Sequence, residues 1–247
     1  MKKLFIVLSL FLALQTEAFQ FKKESMLQFC AAQISGQVAL RLSRPIVVFC
    51  HELGHFVADK LCYGKTDHIH IGVSYKLGLD ADIYKEQPLY ENNWLTLHNK
   101  PFTGSGYCER PGNHEERTAQ KEFIVFASGA FSAFIASLAA AKLTRKLITL
   151  DGLSSISQGI GFGIYGAFLA HMTTELTNWY PHYSKFGQTN DGALMQKMLS
   201  EPAQKYYKPA AVSAITLLAA LGTYITFSTQ GKEQIILRLA SLKNKFI

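Results

Sequence analysis

Val47-Val48-Phe49-Cys50-His51-Glu52-Leu53-Gly54-His55-Phe56-Val57-Ala58 sets two histidines and a glutamate inside an apolar run, and this stretch decides how the rest of the chain is read. On a helix, residues i and i+4 share one face about one turn apart, so His51 and His55 can grip one metal ion. Glu52, the next position round, can poise a water beside it. The spacing fits metal-assisted hydrolysis. Ionisable groups are costly in lipid and are retained there for function, so the apolar setting strengthens the motif.

The chain has 247 residues, of which 48% are hydrophobic and 17% charged, with a mean hydropathy of +0.07. That is apolar for a soluble protein and too polar for helices throughout; a small membrane protein with a sizeable polar loop fits both figures. Residues 123–141, 153–176 and 209–227 are each long enough to cross a bilayer, which takes about 20 apolar residues. The HELGH segment, residues 45–64, makes a fourth span if its polar side chains face the bundle interior. Gly159, Gly161, Gly163 and Gly166 in the third predicted helix permit close packing. The expected fold is therefore an all-α integral membrane protein, a bundle of about four transmembrane helices with an extramembrane loop over residues 65–122.

At the N-terminus Lys2-Lys3, an apolar stretch and Thr16-Glu17-Ala18 read as a bacterial-type export signal over residues 1–18, with an uncleaved anchor as the alternative. Both routes lead to the inner, or cytoplasmic, membrane. The core domain is expected over residues 19–230, followed by a basic amphipathic tail over 231–247 that lies on the membrane surface or packs on the protein. The net charge of +7 comes from Lys and Arg at the ends of apolar segments and in this tail, a pattern of membrane anchoring that excludes a nucleic-acid partner. Cys30, Cys50, Cys62 and Cys108 lack CxxC spacing and offer no zinc–thiolate site.

A catalytic zinc keeps three protein ligands and one open position, so the two histidines need a partner. The extended pattern HExxHxxGxxH fails, because Ala58 stands at its glycine. A later helix can supply His171 or Glu175, which are themselves i, i+4, either as ligand or as a second layer behind the ligands; Asp191, in Thr189-Asn190-Asp191-Gly192, is the other candidate.

Pro45 to Gly64 resembles the first core helix of the site-2 protease family of intramembrane zinc metalloproteases, in which an apolar run enters HExGH and continues through an Ala and a basic residue to a Gly, here Ala58, Lys60 and Gly64. His68-Ile69-His70-Ile71-Gly72 is similar to the family's short β segment, and Ser128-Gly129-Ala130 occupies the place of its Gly-Pro motif. Asn178-Trp179-Tyr180-Pro181 followed by Asn190-Asp191-Gly192 resembles its Asn-x-x-Pro and Asp-Gly elements. The sequence departs from the family at Ala130, where Pro is expected, and at Ala133, where Asn is usual. The resemblance implies a short β segment after the HELGH helix, Zn²⁺ as cofactor, Asp191 as third ligand, Glu52 as general base, and a transmembrane helix as substrate.

The expected activity is thus zinc-dependent intramembrane cleavage of a membrane-tethered protein. A non-catalytic membrane protein of the same fold that binds transmembrane partners, and an exported soluble zinc peptidase, are the alternatives. An extended edge over residues 68–75 offers a strand with which unwound substrate can pair, while Trp94, Phe102 and Tyr107 suit the membrane interface. His68, His70, His98 and His114 are read as ordinary loop histidines.

Overall fold

The computed structural model describes residues 23–64, 68–73, 87–102, 105–109, 117–148, 153–183 and 190–227. The expected signal segment, the tail at 231–247 and His114 lie outside the described residues. Among those described, the chain runs through α1 (Lys23–Tyr63), β1 (Ile69–Val73), β2 (Tyr90–Glu91), β3 (Leu95–Leu97), β4 (Ser105–Cys108), α2 (Ala119–Ile148), α3 (Ser155–Leu176), a 3₁₀ turn (Thr177–Trp179), α4 (Asp191–Lys197) and α5 (Glu201–Phe227).

The HELGH segment is the second half of a much longer helix. Its expected start, Pro45, lies inside α1, and Pro209, the expected start of the last span, lies inside α5. A proline in a helix interior forfeits one hydrogen bond and crowds the preceding turn, at a cost of about 3 kcal/mol or more. In α1 that cost is offset by packing, for the helix lies along both α2 and α3. Gly159 and Gly163 make the α3 contact possible: a Cβ on either would run into the backbone of α1, at Gln28 and Ala32. Small residues let helices approach where lipid supplies no hydrophobic drive between them.

Helix ends are set by local chemistry. Ser154 caps α3 by accepting a hydrogen bond from the Ser157 N–H at 3.2 Å, and α2 carries Glu122 in its first turn and Arg145 and Lys146 in its last, in accord with the helix dipole. Arg117 lies 3.1 Å from Glu122 and 3.7 Å from the buried Asp59, and Tyr63 donates to Glu122 at 3.0 Å, so the end of α1 is tied to the start of α2.

Two helices, Ala119–Ile148 and Glu201–Thr226, are long and apolar enough to cross a membrane among the described residues. The HELGH helix and α3 spend part of their length on polar residues and glycine, which lowers their hydropathy below that of a plain span. Phe134, Met172, Leu176 and Ile215, from α2, α3 and α5, form a buried core cluster.

The β segment expected after the HELGH helix is present, but as part of a four-stranded sheet among the described residues, ordered β2-β3-β1-β4. β1 pairs in parallel with β3 and antiparallel with β4. It is therefore an inner strand, and the expectation that it offers a free edge is corrected: both its ladders are filled. β4 is the last strand on that side among the described residues. Ile69 and Ile71 of β1 are almost completely buried, and both β1 and β4 pack on α1.

Candidate metal centre

His51 and His55 lie on the buried face of α1 and stack edge to face with ring centroids 4.9 Å apart. Their Nδ1 atoms are occupied elsewhere. The His55 Nδ1 lies 2.8 Å from the carbonyl oxygen of Val125, and the His51 Nδ1 lies 2.9 Å from Oε2 of Glu175. Because a carbonyl and a carboxylate can only accept, these contacts put a proton on each Nδ1 and leave each Nε2 with a lone pair.

Both Nε2 atoms face one carboxylate. Oδ2 of Asp191 is 3.0 Å from Nε2 of His51 and 3.5 Å from Nε2 of His55. One donor atom from each of the three residues falls within 4.8 Å of the others. With both rings neutral, three lone-pair atoms converge on one point, and two imidazoles with a carboxylate are a zinc-type donor set that leaves a fourth position open. The residues fit the ion that the sequence suggested.

Asp191 reaches this point by a folded hairpin rather than from the end of α3. After α3 the chain makes the 3₁₀ turn, and Asp191 is the first residue of the short helix α4. Asn190 secures it: its side chain accepts from the Ala193 and His182 N–H groups and donates to the carbonyls of Asn178 and Tyr180. Trp179 donates to the carbonyl of Ala127 at 3.1 Å, and Tyr207 of α5 donates to the carbonyl of Trp179 at 2.9 Å. The hairpin is thereby pinned to α2 and α5. A Cβ at Gly192 would collide with Trp179.

Glu52 is buried beside the pair, and β4 runs against it. The position of a Cβ on Gly106 would be 2.8 Å from Cγ of Glu52, 3.0 Å from its Oε1 and 2.7 Å from Cγ1 of Val48. On the opposite side Gly129 of α2 touches the rings: its Cβ would overlap Nε2 of His55 and lie 2.9 Å from Nε2 of His51. Glycine at both positions lets backbone close over the site.

The other candidates separate. Glu175 meets His51 at Nδ1, away from the point where the Nε2 atoms converge, and His171 is engaged with Ser43 Oγ at 2.9 Å and the Leu40 carbonyl at 3.2 Å, about two turns of α1 earlier. The sequence reading did not find Gly106 or the Val125 carbonyl. Gly106 stands in an unremarkable glycine-bearing loop, and a backbone acceptor leaves no side-chain signal.

The family model described as Peptidase family M50 matches residues 40–237 of the chain. No curated protein and no solved structure matches it.

Proposed function

The chain belongs to peptidase family M50, the site-2 protease family of membrane-embedded metalloproteases, and from that premise we propose that it is a zinc-dependent intramembrane endopeptidase of the cytoplasmic membrane. Its substrate is a membrane-tethered protein, cut within or near its transmembrane helix. The observation that carries this reading is the convergence of His51, His55 and Asp191 beside a buried Glu52.

In this reading α1, α2, α3 and α5 all lie in the bilayer, with the polar face of α1 turned inward. His51 and His55 through Nε2, and Asp191 through its carboxylate, hold the ion. Zinc bound there supplies a Lewis acid for the scissile carbonyl and lowers the pKa of water toward ~7. Glu52 accepts the proton of the attacking water and returns it to the leaving amine. Gly129 keeps the ligand rings in register, and Gly106 allows β4 to approach Glu52 without a side chain between them. β4, the last strand in the sheet order among the described residues and packed against Glu52, is the strand along which an unwound substrate segment can lie, reading backbone more than side chains.

Metal content and cleavage of a transmembrane reporter test the assignment together. Wild type is expected to hold about one zinc per chain. Asp191→Ala should lose the zinc, and Glu52→Gln should keep it while cleavage falls by about 10²–10⁴-fold. Undiminished zinc and cleavage in Asp191→Ala would remove the ligand assignment. A Glu52→Gln protein with its cellular phenotype intact would point instead to a non-catalytic binder, and release by carbonate extraction to a soluble exported peptidase.

A further inference from the structure

We propose that Glu175 is a positioning residue for the metal: its carboxylate, held by Asn178, fixes His51 from behind and adds negative charge next to the ligand set. The inference rests on the metalloprotease reading of the same site and assigns a role to a residue outside the ligand set.

Glu175 lies in the last turn of α3, where Oε2 is 2.9 Å from Nδ1 of His51 and also accepts from Nδ2 of Asn178 at 3.2 Å. Asn178 belongs to the 3₁₀ turn that leads into the Asp191 hairpin, and its own carbonyl receives Asn190 Nδ2 at 3.1 Å. One connected set of hydrogen bonds therefore runs from the ring of His51 to the segment that presents Asp191. Displacing Glu175 disturbs two ligands at once.

The two histidines are supported unequally. His55 donates to a neutral carbonyl, that of Val125, whereas His51 donates to a carboxylate. A carboxylate partner draws the Nδ1 proton toward itself and makes the opposite nitrogen a stronger donor, so His51 is the stronger-binding imidazole of the pair. Charge balance points the same way. Asp191 is the one anionic ligand of the set, and a divalent ion in an apolar bundle is costly unless further carboxylates lie near it. Glu175, largely buried and one imidazole removed, adds such a carboxylate beside that of Glu52 without itself binding the ion.

Zinc affinity measured by chelator competition, together with the visible spectrum of the cobalt-substituted protein, tests this. Glu175→Gln retains an acceptor but loses the charge, and its zinc affinity is expected to fall by about 10–100-fold with a shifted cobalt spectrum. Asn178→Ala should move both readouts in the same direction by less. Thr174→Ala, an exposed neighbour on the same turn, should match wild type in both. Wild-type affinity and an unshifted spectrum in Glu175→Gln and Glu175→Ala would overturn the proposal while leaving the metal centre in place. A wild-type protein that takes up neither zinc nor cobalt would instead overturn the metalloprotease reading, and this proposal with it.

Discussion

The backbone of Gly129 lies so close to the imidazole of His55 that a methyl group on its Cα would overlap the ring's Nε2. A helix separated from α1 by four strands in the sequence thus sets how far the ligand rings can stand from the bundle wall. The contact leaves no slack, because Nδ1 of the same ring is held by Val125, one turn earlier on the same helix.

Gly129→Ala is therefore expected to displace the ring that the rest of α2 still holds in place. Helical content should survive, since alanine is the better helix former. Zinc retention should drop, and cleavage should fall by about 10²-fold or more, as a misplacement of about 1 Å at a reacting centre suffices for that. Metal analysis alongside circular dichroism separates the two effects, and normal zinc content would count against the steric account.

Gly106→Ala probes the opposite wall. The added methyl would press first on Val48 and Glu52, so zinc content should stay at the wild-type level while kcat falls. Loss of zinc in this variant would mean that β4 bears on the ligands as well as on the base.

Asn190→Ala removes a helix cap and the side-chain bonds that close the Asp191 hairpin. A lost cap costs about 0.5–2 kcal/mol, and the cost here should lie at the upper end because the unpaired carbonyls of Asn178 and Tyr180 remain. Thermal unfolding in detergent should show a lowered midpoint that excess zinc partly restores, through preferential binding to the folded state.

The sheet carries its own pH dependence. His70 lies with Nδ1 3.1 Å from Nε2 of His98 and Nε2 3.1 Å from a carboxylate oxygen of Glu109, its ring stacked on Tyr107. Burial pushes its pKa below the ordinary histidine value; Glu109 opposes that shift, and His68 and His98 add to it. The unfolded chain then binds the proton more readily than the folded one. Stability from this group is complete above about pH 6.5 and is lost as the pH falls below that value toward the lowered folded pKa. The protection of residues 69–73 and 95–97 from hydrogen exchange, relative to the intrinsic rate at each pH, should fall on acidification, less so in His70→Gln; protection that does not change between about pH 7.5 and 5 would contradict this.

What could be read from the sequence was local. His51, Glu52 and His55 are a spacing on one helix, whereas the β segment and the choice of Asp191 came from short stretches that resemble elements of a known family. The elements that escaped depend on contacts between distant segments. Nothing near Ile69 says that strands will flank it on both sides, and nothing near Gly106 says that Glu52 lies behind it. Pro45 reads locally as a boundary, and only the packing of α1 along two other helices carries the helix through it. Glu175 was legible as a candidate, but which nitrogen of His51 it would face was not, since that depends on how α3 is rotated against α1.

The 140 residues between His51 and Asp191 also impose an order on biosynthesis. A ribosome adding about 5–20 residues per second finishes the helix with both histidines roughly ten seconds before it reaches the aspartate. During that interval the nascent chain offers only two ligands, and a prematurely terminated product never acquires the third. On the proposed reading, competence to cut therefore waits until Asp191 has been made and the segments that hold it have folded against α1 and α2.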